Sequence, residues 1–335
     1  MSSVSNSSTV SEEEWSAAGV ATACVILAVC FLVGAPGNML VVWTIVRHLK
    51  QRSHIVLLIL HLAVADLLVL ITLPLWIYSL AWSWVFGEAA CKVMVYIIYS
   101  CMYSSVFLIT IMSVERFLAI RYPFKMLHWK NNNAMKLVLV GVWCLALLLG
   151  IPVILTQTIN ERMDGMYDCF YSDFGSVPLE VFCACLETLV GFIIPFLTLT
   201  ICYFLVASRL RQMHRTNQKS GFLISGVMVA FALCWVPHHI FNIITVARLL
   251  MDDSDKLPML SEASVFISGA LTFISSSVNP ILYAFAARNI QGGLRKSAMV
   301  KLFQEVTLHT QLRGTTPQVS DCSNKDQLEQ ISENV

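Results

Sequence analysis

The chain of 335 residues is 57% hydrophobic and only 13% charged, with a mean hydropathy of +0.70. So few charges cannot cover a water-facing surface, so lipid must solvate most side chains and a soluble globular domain is excluded. The net charge of +1 gives no basic field for a nucleic acid, and no nucleic-acid partner is expected.

Residues 1–16 read as an extracellular segment. Glu12, Glu13 and Glu14 make it acidic, Asn6-Ser7-Ser8 offers Asn6 for glycosylation, and no basic stretch with a cleavage site comes before the first apolar run. Seven apolar stretches follow: Ala17–Val46, His54–Trp82, Glu88–Arg121, Met135–Thr158, Pro178–Met213, Asn217–Leu250 and Ser261–Ala287. A spanning helix needs about 20 mainly apolar residues, and Ala17–Val46, Val93–Val114 and Ser220–Ala247 reach that with no Asp, Glu, Lys or Arg. The expected fold is all-α, a seven-transmembrane helix bundle over residues 17–287. Pro74, Pro152, Pro195, Pro237 and Pro280 are each expected to interrupt a span by removing a backbone hydrogen bond. Over 288–305, Arg288, Arg295 and Lys296 alternate with Ile290, Leu294, Met299, Leu302 and Phe303, as in a short amphipathic eighth helix on the membrane surface. Residues 306–335, rich in Ser, Thr and Gln, read as a disordered cytoplasmic tail.

Charge placement orients the bundle. The connections after spans one, three and five hold 12 Lys and Arg (Arg47, Lys50, Arg52; Arg116, Arg121, Lys125, Lys130, Lys136; Arg209, Arg211, Arg215, Lys219). Those after spans two, four and six hold 4, namely Lys92, Arg162, Arg248 and Lys256. The positive-inside bias then puts the N-terminus outside. Eight of the 11 cysteines lie within spans and read as small packing residues. Cys322 lies in the tail, where it is a free thiol or a lipid anchor. Cys91 and Cys169 fall in outer segments, where oxidation is allowed, and a bridge between them would tie span three to the loop after span four.

Asn38 after Gly37, Leu62-Ala63-Val64-Ala65-Asp66, Cys91, Glu115-Arg116-Phe117, Trp143, Pro195 with Tyr203, Cys234-Trp235-Val236-Pro237 and Asn279-Pro280-Ile281-Leu282-Tyr283 stand along the spans in a fixed order. In that order they resemble the rhodopsin-like (class A) G-protein-coupled receptors over about Gly34 to Phe303. Trp84-Val85-Phe86-Gly87, Met102-Tyr103-Ser104-Ser105-Val106, Glu187 in its apolar setting, Pro237-His238-His239-Ile240-Phe241-Asn242 and Ser275-Ser276-Ser277-Val278-Asn279 look like the leukotriene B4 receptors of the chemoattractant branch. The resemblance implies a multi-pass plasma-membrane receptor that activates a heterotrimeric G protein, probed further by arrestin and a receptor kinase at the tail hydroxyls.

A guanidinium at the inner membrane edge needs an anionic partner, so Arg116 is expected to pair with Glu115, since no acid stands near the inner end of span six. The family norm at this point is Asp-Arg-Tyr, and Phe117 departs from it. Asp66 is a carboxylate near the middle of span two, costly there by about 2.5–3.5 kcal/mol on insertion scales. By the family packing Ser105, Ser275 and Asn279 would face it and form an oxygen cavity for a sodium ion, an allosteric modulator rather than a cofactor; a protonated Asp66 is the other reading. Asn279, Pro280, Tyr283 and Tyr203 would form an inner switch that rearranges as span six swings about Pro237.

For the ligand, Tyr99, Met102 and Tyr103 on span three, Glu187 on span five, and Trp235, His238, His239 and Asn242 on span six make an apolar cup with a few polar points. Glu187 needs a partner, either His239 or a ligand group. Arg248 would meet a ligand carboxylate at the mouth. A hydroxylated eicosanoid is the first expectation and a chemoattractant peptide the second, since many acids lie on the outer face. Transporter and membrane-enzyme readings find little support. No His-Glu-x-x-His or Gly-x-Ser-x-Gly motif is present, and His238 and His239, being adjacent on a helix, are expected to point apart. Span seven has no lysine for an opsin Schiff base.

Overall fold

The computed structural model describes residues 4–49, 53–122, 132–161, 165–212, 218–251 and 262–291. The side chain of Asn6, Arg162, the expected eighth helix beyond Gln291 and the tail with Cys322 lie outside what is described. Among the described residues, seven apolar helices are long enough to cross a membrane: Ala17–His48, His54–Ala81, Gly87–Arg121, Asn133–Thr156, Val177–Ser208, Val229–Leu250 and Val265–Tyr283, called spans one to seven below. Helices are the natural answer to this sequence, because in hydrocarbon every backbone N–H and C=O must be satisfied within its own segment. Large apolar side chains such as Leu32, Leu137, Leu148, Phe204 and Leu233 stay exposed on the outside of the bundle, where lipid would meet them.

Small residues let the helices close up. A Cβ on Gly34 would sit 2.6 Å from Ser277 Oγ, and one on Gly37 would sit 2.8 Å from Pro280 Cβ, so spans one and seven approach backbone to backbone. Asn38, fully buried between them, donates from Nδ2 to Gly34 O and across to Ser276 O, each at 3.0 Å. Gly150 does the same between spans four and three, where a Cβ would meet Ser100 Oγ at 2.6 Å.

The prolines act in three ways. Span two stops at Leu70 and resumes at Leu73, with Pro74 in the new first turn, because Pro74 has no N–H to offer the carbonyl of Leu70. In span five the turn before Pro195 widens into a π-helical turn over Leu189–Ile193. Pro152, Pro237 and Pro280 each lie inside a helix that continues past them, without an N–H for the carbonyl four residues back.

The sequence reading carried span four to Thr158, but the helix ends at Thr156 and a strand starts at once. Strand β1 (Gln157–Glu161) pairs antiparallel with β2 (Tyr167–Ser172), Gln157 opposite Ser172 and Asn160 opposite Asp168. Cys169 on β2 forms a disulfide with Cys91 at the head of span three. Trp84 N donates to Tyr167 O at 2.7 Å, and the Trp84 ring packs 5.5 Å from that of Trp76. The hairpin is thereby fixed over the end of the bundle where span three begins.

Candidate ligand-binding site

Beneath the hairpin lies a cavity of about 380 Å³, bounded at one end by Gln157, Cys169 and Ser172 and at the other by Val106 and Trp235. Gln157 holds the near wall, its Nε2 donating to Cys169 O at 2.7 Å and its Oε1 accepting from Ser172 Oγ at 3.1 Å. Of the residues expected to meet a ligand, Tyr99, Met102, Tyr103, Glu187, Trp235, His238 and Asn242 line the cavity. Gly191, inside the π turn, gives Tyr103 its room: a Cβ there would stand 3.3 Å from the ring. Trp235 Nε1 donates to Ser275 Oγ at 3.3 Å, which locks the indole against span seven.

His239 and Arg248 are not part of the wall. His239 is only 1% exposed, stacked between Phe192 at 4.7 Å and Trp235 at 5.7 Å, with Nδ1 3.3 Å from Thr188 Oγ1. The partner of Glu187 is therefore His238, whose Nε2 donates to Glu187 Oε1 at 2.7 Å. Nor do the two histidines point apart, since their rings are 5.2 Å from centroid to centroid. Neighbouring positions on a helix differ by about 100°, not 180°, and Glu187 on span five faces the arc between them. Arg248 is half-buried ten residues further along span six.

Deeper in the bundle, Asp66 is 1% exposed and accepts from Ser105 Oγ at 3.1 Å and from Asn279 Nδ2 at 2.7 Å. Ser275 is turned elsewhere, donating to Thr272 O at 2.7 Å. Ser276 takes the place expected of it beside Asp66. At the opposite end of the bundle, Glu115 is buried with Oε1 3.7 Å from His54 Nδ1, a neighbour on span two that the sequence reading missed. Arg116 beside it is half-buried. Tyr283 is buried against Val41, Ile45 and Ile59, while Tyr203 is 40% exposed on the flank of span five. Sequence reasoning also missed Gln157, Ser172, Trp76 and Phe241 in the cavity wall. The first two follow only from the hairpin, and no pattern in the chain announced it.

These features have counterparts among known proteins. A family model described as 7 transmembrane receptor (rhodopsin family) matches residues 37–283. The chain is 35% identical over 317 residues to leukotriene B4 receptor 1 of Homo sapiens, covering 92% of this chain and 87% of that one. It is 32% identical over 294 residues to leukotriene B4 receptor 2 of Rattus norvegicus, covering 85% and 81%. It is 30% identical over 278 residues to type-1 angiotensin II receptor A of Xenopus laevis, covering 80% and 76%. The chain belongs to the rhodopsin family of seven-transmembrane, G-protein-coupled receptors, which are not enzymes. Within that family it resembles the leukotriene B4 receptors, and it is a multi-pass membrane protein whose partners are a G protein and an extracellular ligand.

Proposed function

We propose that the chain is a plasma-membrane receptor, N-terminus outside, for an extracellular hydroxylated fatty acid of the leukotriene B4 type, and that it drives an inhibitory-type G protein in chemoattractant signalling. The observation that carries this is the cavity, whose walls are mainly apolar and whose polar point is the Glu187–His238 pair. Its volume suits a drug-sized ligand, and the relatives with the higher identities are named for leukotriene B4. A ligand hydroxyl would donate to Glu187 while the chain lies along Tyr99, Met102, Tyr103 and Trp235. No Lys or Arg is among the described residues that line the cavity. The carboxylate would reach Arg248, about 15 Å along the helix from His238.

A peptide ligand is the second reading. It draws on the same acidic point in the cavity and on relatives named for angiotensin II and somatostatin. Agonist-dependent guanine-nucleotide exchange in receptor-bearing membranes tests both. Exchange driven by dihydroxy eicosanoids supports the first, and exchange driven only by cationic peptides overturns it.

Activation on this reading swings span six about Pro237. Arg116 then leaves the Glu115 side to cap the inserted helix of the G protein, and Asn279, Pro280, Tyr283 and Tyr203 rearrange. Phosphorylated tail hydroxyls would recruit arrestin after a receptor kinase acts. Asp66 has neutral hydrogen-bond partners, Ser105 and Asn279, a donor set that fits a sodium ion held by Asp66 and Ser105. The ion would supply the missing positive charge and favour the inactive state.

A further inference from the structure

Glu187, His238 and His239 meet between spans five and six, where a carboxylate oxygen and one ring nitrogen from each histidine lie within 4.8 Å of one another. The hydrogen bonds present do not use this group fully. Among the described residues His239 Nε2 is buried with no hydrogen-bond partner, a condition that costs free energy and that buried polar groups rarely tolerate. With Nδ1 donating its proton to Thr188 Oγ1 at 3.3 Å, the lone pair of that ring is left on Nε2. Glu187 and His238 both open onto the cavity, so an ion has a way in.

We propose that these three side chains form a binding site for a divalent first-row transition cation, zinc above all, that bridges spans five and six. Two imidazoles and one carboxylate are the protein ligands of open zinc sites, which leave a fourth position for water or a ligand atom. Magnesium and calcium favour oxygen-only sets and are disfavoured here. Zinc–ligand distances of about 2.0–2.2 Å in a tetrahedron set the ligand atoms roughly 3.3–3.5 Å apart, so the Glu187–His238 contact at 2.7 Å opens slightly while the rest of the group, within 4.8 Å, closes on the ion. The proton that His238 Nε2 shares with Glu187 must leave that nitrogen before it can bind the ion: a doubly protonated ring releases it to solvent and keeps the one on Nδ1, and a neutral ring carries its single proton on Nδ1 instead. Thr188 acts as a positioning residue that fixes the His239 tautomer. The site closes just past Pro237, so the bound ion restrains the outer half of span six.

Binding of the ion does not depend on the identity of the agonist. Competition does rest on the reading that the agonist uses Glu187, because the ion and a ligand hydroxyl would then claim the same oxygen.

The test uses purified full-length receptor in detergent without agonist. Zinc should raise its unfolding temperature and magnesium should not. Cobalt(II) in place of zinc should give the intense visible bands of a four- or five-coordinate nitrogen and oxygen site. Glu187→Gln and His239→Asn should abolish the zinc response, and Thr188→Val should weaken zinc binding about 10- to 100-fold. The proposal is overturned if zinc leaves the wild-type unfolding temperature unchanged, if the cobalt spectrum is octahedral or shows a cysteine charge-transfer band, or if Glu187→Gln binds zinc as tightly as wild type. Should a variant not fold, the wild-type cobalt spectrum decides. Agonist affinity is then measured with and without zinc. An unchanged affinity in a receptor that binds zinc would overturn the agonist's use of Glu187 and leave the cation site standing.

Discussion

Replacing Glu187 probes the polar point of the cavity from both sides. Its Oε1 accepts from His238 Nε2 at 2.7 Å, with side chains 19% and 23% exposed, so solvent screens the bond only in part. A hydrogen bond to a charged group contributes about 1.5–3 kcal/mol, whereas interhelical hydrogen bonds in membranes average about 0.6 kcal/mol and reach about 1.7. A carboxylate acceptor at 2.7 Å belongs near the upper end of the second range, so a Glu187/His238 double-mutant cycle should return about 1–2 kcal/mol of coupling. Agonist loses more than this pair when Glu187 becomes Ala, because its hydroxyl is then unpaired in a dry wall. The expected cost is about 1–3 kcal/mol, roughly 5- to 150-fold in affinity. Glu187→Gln keeps an acceptor and should stay within about threefold of wild type. Displacement of labelled leukotriene B4 from membranes, with a chelator present to remove metal, measures wild type, Glu187→Gln and Glu187→Ala. Equal affinities throughout would refute the placement of the ligand, and Gln as harmful as Ala would favour a cationic peptide.

Cys91→Ala or Cys169→Ala should lower surface expression and ligand binding together, since the bridge fixes the hairpin over the cavity; flow cytometry and binding on the same cells check this. Gly34→Ala places a methyl 2.6 Å from Ser277 Oγ and 2.8 Å from Leu70 Cδ1, and should cost about 1–3 kcal/mol, seen as a lower unfolding temperature in detergent. Asp66→Asn should preserve the fold but abolish any effect of sodium on agonist affinity, measured by displacement in sodium and in choline buffers. Arg116→Ala should bind agonist yet catalyse little nucleotide exchange, and normal exchange by that variant would break the coupling mechanism.

Hydropathy made the seven spans legible because the bilayer demands long apolar runs whatever the tertiary detail. Local chemistry served less well. Gln157-Thr158-Ile159-Asn160-Glu161 follows a helix with no Gly or Pro between them, and its strand depends on a partner held by a disulfide to another helix. The neighbour of Glu115 is His54, at the start of span two, and only packing between helices brings them within 3.7 Å. Tyr99, Tyr103, Trp235 and His238, grouped from the sequence as a cup, all line one cavity, so their shared face was legible. The rotation of each side chain was not. His239 turned inward to stack on Phe192, and Ser275 turned to Thr272 rather than Asp66.

The π turn over Leu189–Ile193 sets the phase of everything above it on span five. One additional residue in a turn rotates the rest of a helix by about 100° while lengthening it by only about 1.5 Å. Deleting one residue there would leave a segment still long enough and apolar enough to span. It would also swing Glu187 and Thr188 together away from span six, parting both histidines from their partners at once. A length polymorphism that any hydropathy plot would pass as silent would thus erase the polar point of the cavity.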